Sequence, residues 1–549
     1  MDTEPLAIPY LTCDLPPAPG DRIFMLIDQQ ALMASVLKPT PRPPSSPRPP
    51  RRRGPLALFL LTLAGILATL TGCSNPPPPP DPMTPYYPAF HKESLPQDFD
   101  FDATPRYELQ VKVDPERRLI LGRERVYFRN LSGRLLRDVY VRQYPNLPQL
   151  GGLMKLTAVK KLPEGYAVGF APELENSAAR ITLIDDLEPN QDLGLEIAFE
   201  IVAPQKQGYV LFGDSQGILS LPYAYPMLAR QTGDPAHPWR LEIPPVFADI
   251  AITDQAFYSV TVTLPDDYLL VTSGVEINQT AAEPGWRAHQ FVTGPAREWT
   301  MVVSKNLQKI SQTVDGNQVN SYFLPRDGAA GKSALAYSAA VLRTYDQIFS
   351  PYPYTELDVI EAPTRYLGME YPKLNYIGMD TYRSVAQTQE YLIAHEISHQ
   401  WWYALVGSDP YRYPWLDEGL AEHSSLLYME TLYGPAAADR IRTLRWEIPV
   451  EWARKNGYDT PVGQEVTAFT GANYELMVYA KSALFFDSLY QAMGREAYLN
   501  ALQTFIDRYR FKTPTPDDFL AIVEEVGGID PTPLYEEWIE GSQSPAASP

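Results

Sequence analysis

The stretch Tyr391-Leu-Ile-Ala-His395-Glu396-Ile-Ser-His399-Gln-Trp-Trp402 constrains this chain more than any other. It reads H-E-x-x-H inside an apolar run. On a helix, residues four apart lie on one face, one turn above the other. His395 and His399 can therefore aim two imidazoles at one metal ion. Glu396, about 100° further round, can reach a water beside that ion. A buried helix holding two histidines by accident is the alternative. The chain has only six histidines in 549 residues, so that accident is rare.

A second stretch, Trp415-Leu416-Asp417-Glu418-Gly419-Leu-Ala-Glu422, follows with eighteen residues between His399 and Glu418. Hydrolytic zinc sites take three N or O ligands from the protein and leave one position to water. Gly407 to Pro410 and Tyr413-Pro414 supply a turn. A second helix from about Leu416 to Leu432 can then fold back on the first, expected over Val385 to Val406, and offer Glu418. By itself Glu418 reads as an ordinary first-turn glutamate, favoured there by the helix dipole. Glu422, one turn on, can accept the distal ring N–H of a ligating histidine, or be a solvated helix carboxylate. His91, His237, His289 and His423 have no motif around them and read as structural.

Upstream, the period is that of strands. Tyr107 to Val113, Arg123 to Arg129, Gly194 to Glu200 and Phe257 to Leu264 alternate apolar and polar residues, with Gly, Asn, Pro and Asp between them. This predicts an antiparallel β-sandwich or saddle. Tyr223-Ala-Tyr225-Pro226 and Trp239 read first as core and second as the wall of a cleft. After Pro325 the period becomes helical: a helix over Ser333 to Phe349, a strand over Leu357 to Ala362, then helices near Glu475–Met493, Arg495–Tyr509 and Pro516–Val526. The expected fold is thus multidomain, β-rich first and α-rich (α+β) second. The division is 1–72 leader, 73–100 Pro-rich linker, 101–310 β-rich domain, 311–541 catalytic domain and 542–549 tail.

These residues resemble the gluzincin zinc metallopeptidases, and within them the aminopeptidase N family. Gly368-Met369-Glu370 is similar to that family's G-x-M-E-N exopeptidase motif, Trp415 to Gly419 to its W-L-N-E-G stretch, and Tyr479-Ala-Lys481 to its Y-x-K stretch. Two positions depart from the pattern: Tyr371 stands where Asn is usual, and Ser482 where Gly is common. The resemblance implies a thermolysin-like catalytic domain behind a β domain, and one zinc ion per chain held by His395, His399 and Glu418. It implies Glu396 as general base towards a metal-activated water, and Tyr479 as donor to the tetrahedral oxyanion, with Tyr474 as runner-up. It also implies that Glu370, on a strand with Gly368 and Met369, binds the α-ammonium of a peptide with a free N-terminus. A zinc aminopeptidase is the function expected. An endopeptidase or broader hydrolase on the same site, and an inactive surface binding protein, are the alternatives.

The first 85 residues hold much of the proline, whose total of 55 is about twice ordinary usage. Arg51-Arg-Arg53 precedes an apolar run from Pro55 to Leu70, and Leu70-Thr-Gly-Cys73 resembles a bacterial lipobox. The resemblance implies cleavage before Cys73, membrane lipid on its sulfur, and an exported enzyme tethered to the outer face of a bacterial membrane. An uncleaved anchor is the alternative, although the run is short for a span of about twenty residues. A start at Met25 or Met33 would shorten the leader, and N-terminal sequencing of the precursor decides this. Pro76 to Pro80 is expected to act as an extended spacer. The net charge of −20 argues against a nucleic-acid partner. Cys13 and Cys73, the only cysteines, lie outside the motif region, so no disulfide can brace it.

Overall fold

The computed structural model describes residues 81–542, apart from 235, 365–367 and 385. Cys73, the lipobox, the apolar leader and the Pro76–Pro80 run lie outside the described residues. Among those described, no helix is long and apolar enough to cross a membrane.

The first half is β-structure in three sheets. The largest has seven strands in the order 275–281, 286–296, 256–265, 106–114, 119–129, 192–202 and 153–162. Along Arg106–Asp114 burial alternates, with Tyr107, Leu109, Val111 and Val113 inside, as a half-buried strand requires. All neighbours pair antiparallel except Arg106–Asp114 with Ala256–Pro265, which run parallel. Two four-stranded sheets complete this half, one built on Leu136–Arg142 and Ala178–Leu187, the other on Thr300–Ser304 and Ile218–Pro222.

The second half opens on a five-stranded sheet in the order 308–314, 317–323, 356–362, 374–378, 368–371. Its first strand, Gln308–Val314, straddles the division expected at 310 and pairs with Asn317–Phe323 as a hairpin. Behind it lie the helices α1 (Gly328–Ile348), α2 (Ala386–Ser398) and α3 (Pro414–Tyr433). Further helices run over Ser482–Met493, Arg495–Tyr509 and Pro516–Gly527. The helix expected to reach Val406 is α-helical only to Ser398. Gln400–Leu405 continues in wider turns, with Ala404 and Val406 donating to His399 and Trp401 carbonyls five residues back. The widened turn leaves the Trp402 carbonyl facing His399 Nδ1, 3.4 Å away.

The linker expected to run to residue 100 ends earlier. From Asp81 the chain is folded, with a 3₁₀ turn over Thr84–Ala89. Tyr86, Phe90, Phe99 and Phe101 gather around Phe257, their ring centres 4.8–6.2 Å from its own. Packing four aromatic rings on Phe257, with Tyr86 and Phe90 buried and Phe99 and Phe101 partly so, offsets the cost of ordering the segment, which the proline content alone did not reveal.

The two halves share a core. Tyr371, Leu374 and Tyr376 of the five-stranded sheet pack into the β-domain cluster that contains Tyr223 and Leu221. Ser220 donates to the Tyr376 hydroxyl at 2.9 Å across the seam.

Candidate active site

Helices α2 and α3 pack side by side, and their facing turns bring His395, His399 and Glu418 together, all buried. His395 Nε2 lies 3.2 Å from Glu418 Oε2 and 3.3 Å from His399 Nε2, while His399 Nε2 lies 3.5 Å from Glu418 Oε2. Zinc with ligands at about 2.0–2.1 Å in a tetrahedron would separate them by about 3.3 Å. The triangle therefore already has the edge lengths the ion needs, from two imidazoles and one carboxylate, and it is the one such group among the described residues. Burial pushes the Glu418 carboxyl up, but hydrogen bonds to both histidines prevail and hold it well below the usual range. Burial also opposes protonation of His399, and Glu418 reverses the balance, so its pKa rises.

Each of these side chains is held from behind. Glu422 Oε1 stands 3.5 Å from His395 Nδ1, the position expected of an orienting carboxylate. Glu422 is itself gripped by the Tyr391 hydroxyl at 2.7 Å, Arg445 Nη2 at 2.8 Å and Trp446 Nε1 at 2.8 Å. Burial pushes it up, yet Arg445 and His395 bring it down to about 2. Arg445 and Trp446 come from a segment in which no sequence motif was visible. Tyr479 donates to Glu418 Oε1 at 2.6 Å, and its ring stacks 6.0 Å from that of His395. Tyr474 sits one shell further out, packed against Phe247 and Phe469.

Glu396 faces the strand that carries Gly368, Met369 and Glu370. A Cβ at Gly368 would fall 2.0 Å from Glu396 Oε1, so only glycine lets strand and carboxylate approach this closely. Gly419 serves similarly on α3, where a Cβ would meet Phe486 and Ser482 Oγ at 2.6 Å. A small residue at 482 is therefore needed, and serine suffices in place of glycine. Burial, with the nearby Glu370 and Glu418 charges, pushes Glu396 well above the usual range. Among the described residues, Gly368–Tyr371 is the outermost strand of its sheet and pairs only with Leu374–Gly378. Its free edge is available to an extended peptide. Glu370 is raised by burial and by Glu418, against His399, which lies close enough to lower it.

Opposite lies a wall not legible in the motifs. A narrow recess, with little more free space than one water molecule needs, is lined by Tyr223, Asp249, Glu298, Tyr371, Tyr403 and Asp417 together with Met369 and Glu370. Tyr223 is thus both core and wall. Trp239 belongs to the core alone, beside Phe128 and Tyr140. Glu298 accepts from the Tyr403 hydroxyl at 2.6 Å, and burial pushes it up to about 8. Asp249 is raised by burial and by Glu370. Asp417 is raised to about 7 by burial and by Glu418. The signal that points to Glu298 is the charged pair Arg297-Glu298 inside the otherwise uncharged run Phe291 to Val303.

Residues 333–538 match the model of the peptidase family M1 domain. Aminopeptidase M1-C of Oryza sativa subsp. japonica is 26% identical over 262 residues, covering 43% of this chain and 28% of that one. Aminopeptidase M1 of Arabidopsis thaliana is 25% identical over 316 residues, covering 54% of this chain and 35% of that one. The matched stretches therefore span roughly a third of those relatives' length. The fold is that of an M1 zinc metallopeptidase from Deinococcus radiodurans, solved as a mutant bound to a Tyr-Ser-Ala substrate. That structure has a TM-score of 0.59 at 17% identity, covering 81% of this chain and 95% of that one.

Proposed function

From a peptidase family M1 domain, that of a gluzincin of the aminopeptidase N type, we propose a zinc-dependent aminopeptidase that removes residues one at a time from the N-terminus of peptides. The observation that carries the reading is Glu370, an acid on the edge strand Gly368–Tyr371, whose first residue, Gly368, lies against the Glu396 carboxylate. Zinc, held by His395, His399 and Glu418, would supply a Lewis acid for the scissile carbonyl and acidify a water. Glu370 takes the α-ammonium of the substrate, so only the first peptide bond reaches Glu396. Glu396 removes the proton of the attacking water as the new C–O bond forms. It then gives that proton to the nitrogen as the C–N bond breaks. Tyr479 donates to the oxygen on which charge develops.

The test compares peptides with a free and an N-acetylated terminus, with and without chelator. A charge-assisted contact of this kind is worth about 1.5–3 kcal/mol, so acetylation should lower kcat/KM by roughly 10–100-fold. Chelation should abolish turnover and zinc should restore it. Equal cleavage of both peptides would remove the anchoring role of Glu370 and favour an endopeptidase.

A further inference from the structure

Gln400 follows Glu396 by four residues, as His399 follows His395. The two pairs meet different neighbours. His395 and His399 face Glu418, whereas Glu396 and Gln400 face the hairpin of Gly368–Tyr371 and Leu374–Gly378. Gln400 is wholly buried, so its amide must find partners inside the protein. Its Oε1 accepts from the Lys373 N–H at 2.7 Å. Its Nε2 donates to Asn375 Oδ1 at 3.0 Å and to the Tyr371 carbonyl at 3.3 Å. Among the described residues, these are the hydrogen bonds that join the hairpin to the segment carrying the two histidines.

The hairpin needs such support. Its strands pair over four residues, Gly368 to Tyr371, with Asn375 directly across from Glu370. Pro372 and Lys373 form the loop, and the fixed φ of proline excludes the turns that best match strand twist. Lys373 has φ +67°, a conformation that costs glycine nothing and lysine something. A two-stranded ribbon this short does not hold itself in place. On its far side it is fixed to the sheet and the β domain. The Lys373 carbonyl accepts from the Asp358 N–H at 2.7 Å, and the Tyr371 ring packs on Tyr223 and Tyr376. Towards the histidines, the Glu396 carboxylate against Gly368 limits how near the strand can come. Gln400 limits how far it can move away. Glu370 lies in the strand between these two contacts.

We propose that Gln400 is a positioning residue. By tying the turn after Glu370 to the segment that carries the histidines, it sets the distance from Glu370 to the metal group, and so which peptide bond is cut. The proposal rests on the aminopeptidase reading, in which Glu370 takes the α-ammonium. Misplacing a bound substrate by about 1 Å can cost about 10²-fold in rate, so a loosened hairpin should be visible in turnover.

The experiment uses the zinc-loaded full chain and peptides with a free or an N-acetylated terminus. Gln400→Met keeps the length of the side chain and removes all three hydrogen bonds. The ratio of kcat/KM for free over acetylated peptide should fall roughly tenfold, with zinc content unchanged. In a Glu370→Gln background the same substitution should move the ratio less than about twofold, because two residues that act through one contact are not additive. A ratio unmoved by Gln400→Met, or lowered equally in both backgrounds, overturns the proposal, as does zinc lost along with the ratio. Should Gln400→Met not fold, Gln400→Glu keeps the acceptor for Lys373 and loses the two donated bonds. It should lower the ratio about threefold, and an unmoved ratio again overturns the proposal. If the parent cleaves both peptides equally, the role of Glu370 fails on its own. Amide hydrogen exchange then decides whether Gln400 holds the hairpin. Faster exchange over residues 368–378 in the variant, with residues 386–398 unchanged, supports the tie, and unchanged exchange overturns it.

Discussion

The two walls of the cleft are built on opposite plans. On the metal-facing wall, charged groups have several partners each: Glu418 contacts two histidines and Tyr479, and Glu422 contacts Tyr391, Arg445 and Trp446. On the facing wall, the Tyr371 hydroxyl has no hydrogen bond among the described residues, and Glu298 Oε1 has only the Thr253 hydroxyl beside it. A buried polar group left unmatched costs about 1–3 kcal/mol. The first wall is therefore stable as it stands and preorganised for chemistry. The second holds a buried hydroxyl whose hydrogen bond is not made.

The largest effect that separates the walls belongs to Glu396. Its carboxylate touches the Gly368 strand and is not among the three ligand groups. Glu396→Gln keeps the shape and removes the carboxylate proposed as the base. Turnover should fall by about 10²–10⁴ with zinc content unchanged, read by steady-state rates and metal analysis of the same sample. Turnover within a few-fold of the parent would mean that another group moves the proton. Zinc lost along with activity would mean that Glu396 supports the ligand cluster instead.

Glu422→Gln strikes one shell behind. Removing the charge that orients His395 should weaken zinc binding by about 10–100-fold, measured by competition with a chromophoric chelator. The same residue has an acid signature. In the folded chain its carboxyl is held at about 2, against 4.5 for the group unperturbed. The folded state therefore binds fewer protons between those values. The stability lent by Glu422 is whole above pH 4.5 and is lost as the pH falls towards 2. In chelated protein the stability gap between parent and variant should close over that window. A gap that stays constant from pH 6 to pH 2 would show that the charge of Glu422 is not what matters.

The metal-facing wall was readable in sequence because its geometry is local. His395 and His399 are one helical turn apart, and Glu418 and Glu422 repeat that spacing on the next helix. Helix period alone sets both pairs. Gly368 was readable through its motif, but not its reason, which is the contact with Glu396. The facing wall was readable only at Tyr223 and where it borders the motifs. Asp249, Glu298, Tyr371 and Tyr403 come from four separated segments, and only the packing of the β domain on the five-stranded sheet brings them together. No period or spacing records such a meeting. Arg445 escaped for the same cause, since it reaches Glu422 from beyond α3. Likewise the aromatics from Tyr86 to Phe101 gave no repeat, and their fold depends on Phe257, more than a hundred and fifty residues further along.

The smallest effect tests the facing wall directly. Tyr371 stands where the family usually has asparagine, and its ring packs edge-on against Tyr223 and Tyr376, with centres 5.7 and 5.0 Å apart. Its hydroxyl has no hydrogen-bond partner among the described residues. Tyr371→Phe keeps the ring and deletes the unmatched oxygen. Substrate-free protein should then gain about 1 kcal/mol of stability, read by denaturant unfolding, whereas a comparable deletion on the metal-facing wall, Tyr391→Phe, leaves Glu422 short of a donor and should cost a similar amount. The opposite signs follow from one rule applied to two oxygens, one idle and one engaged. If Tyr371→Phe destabilises the protein as much as Tyr391→Phe does, the hydroxyl is already satisfied, and the contrast between the walls reduces to their charges.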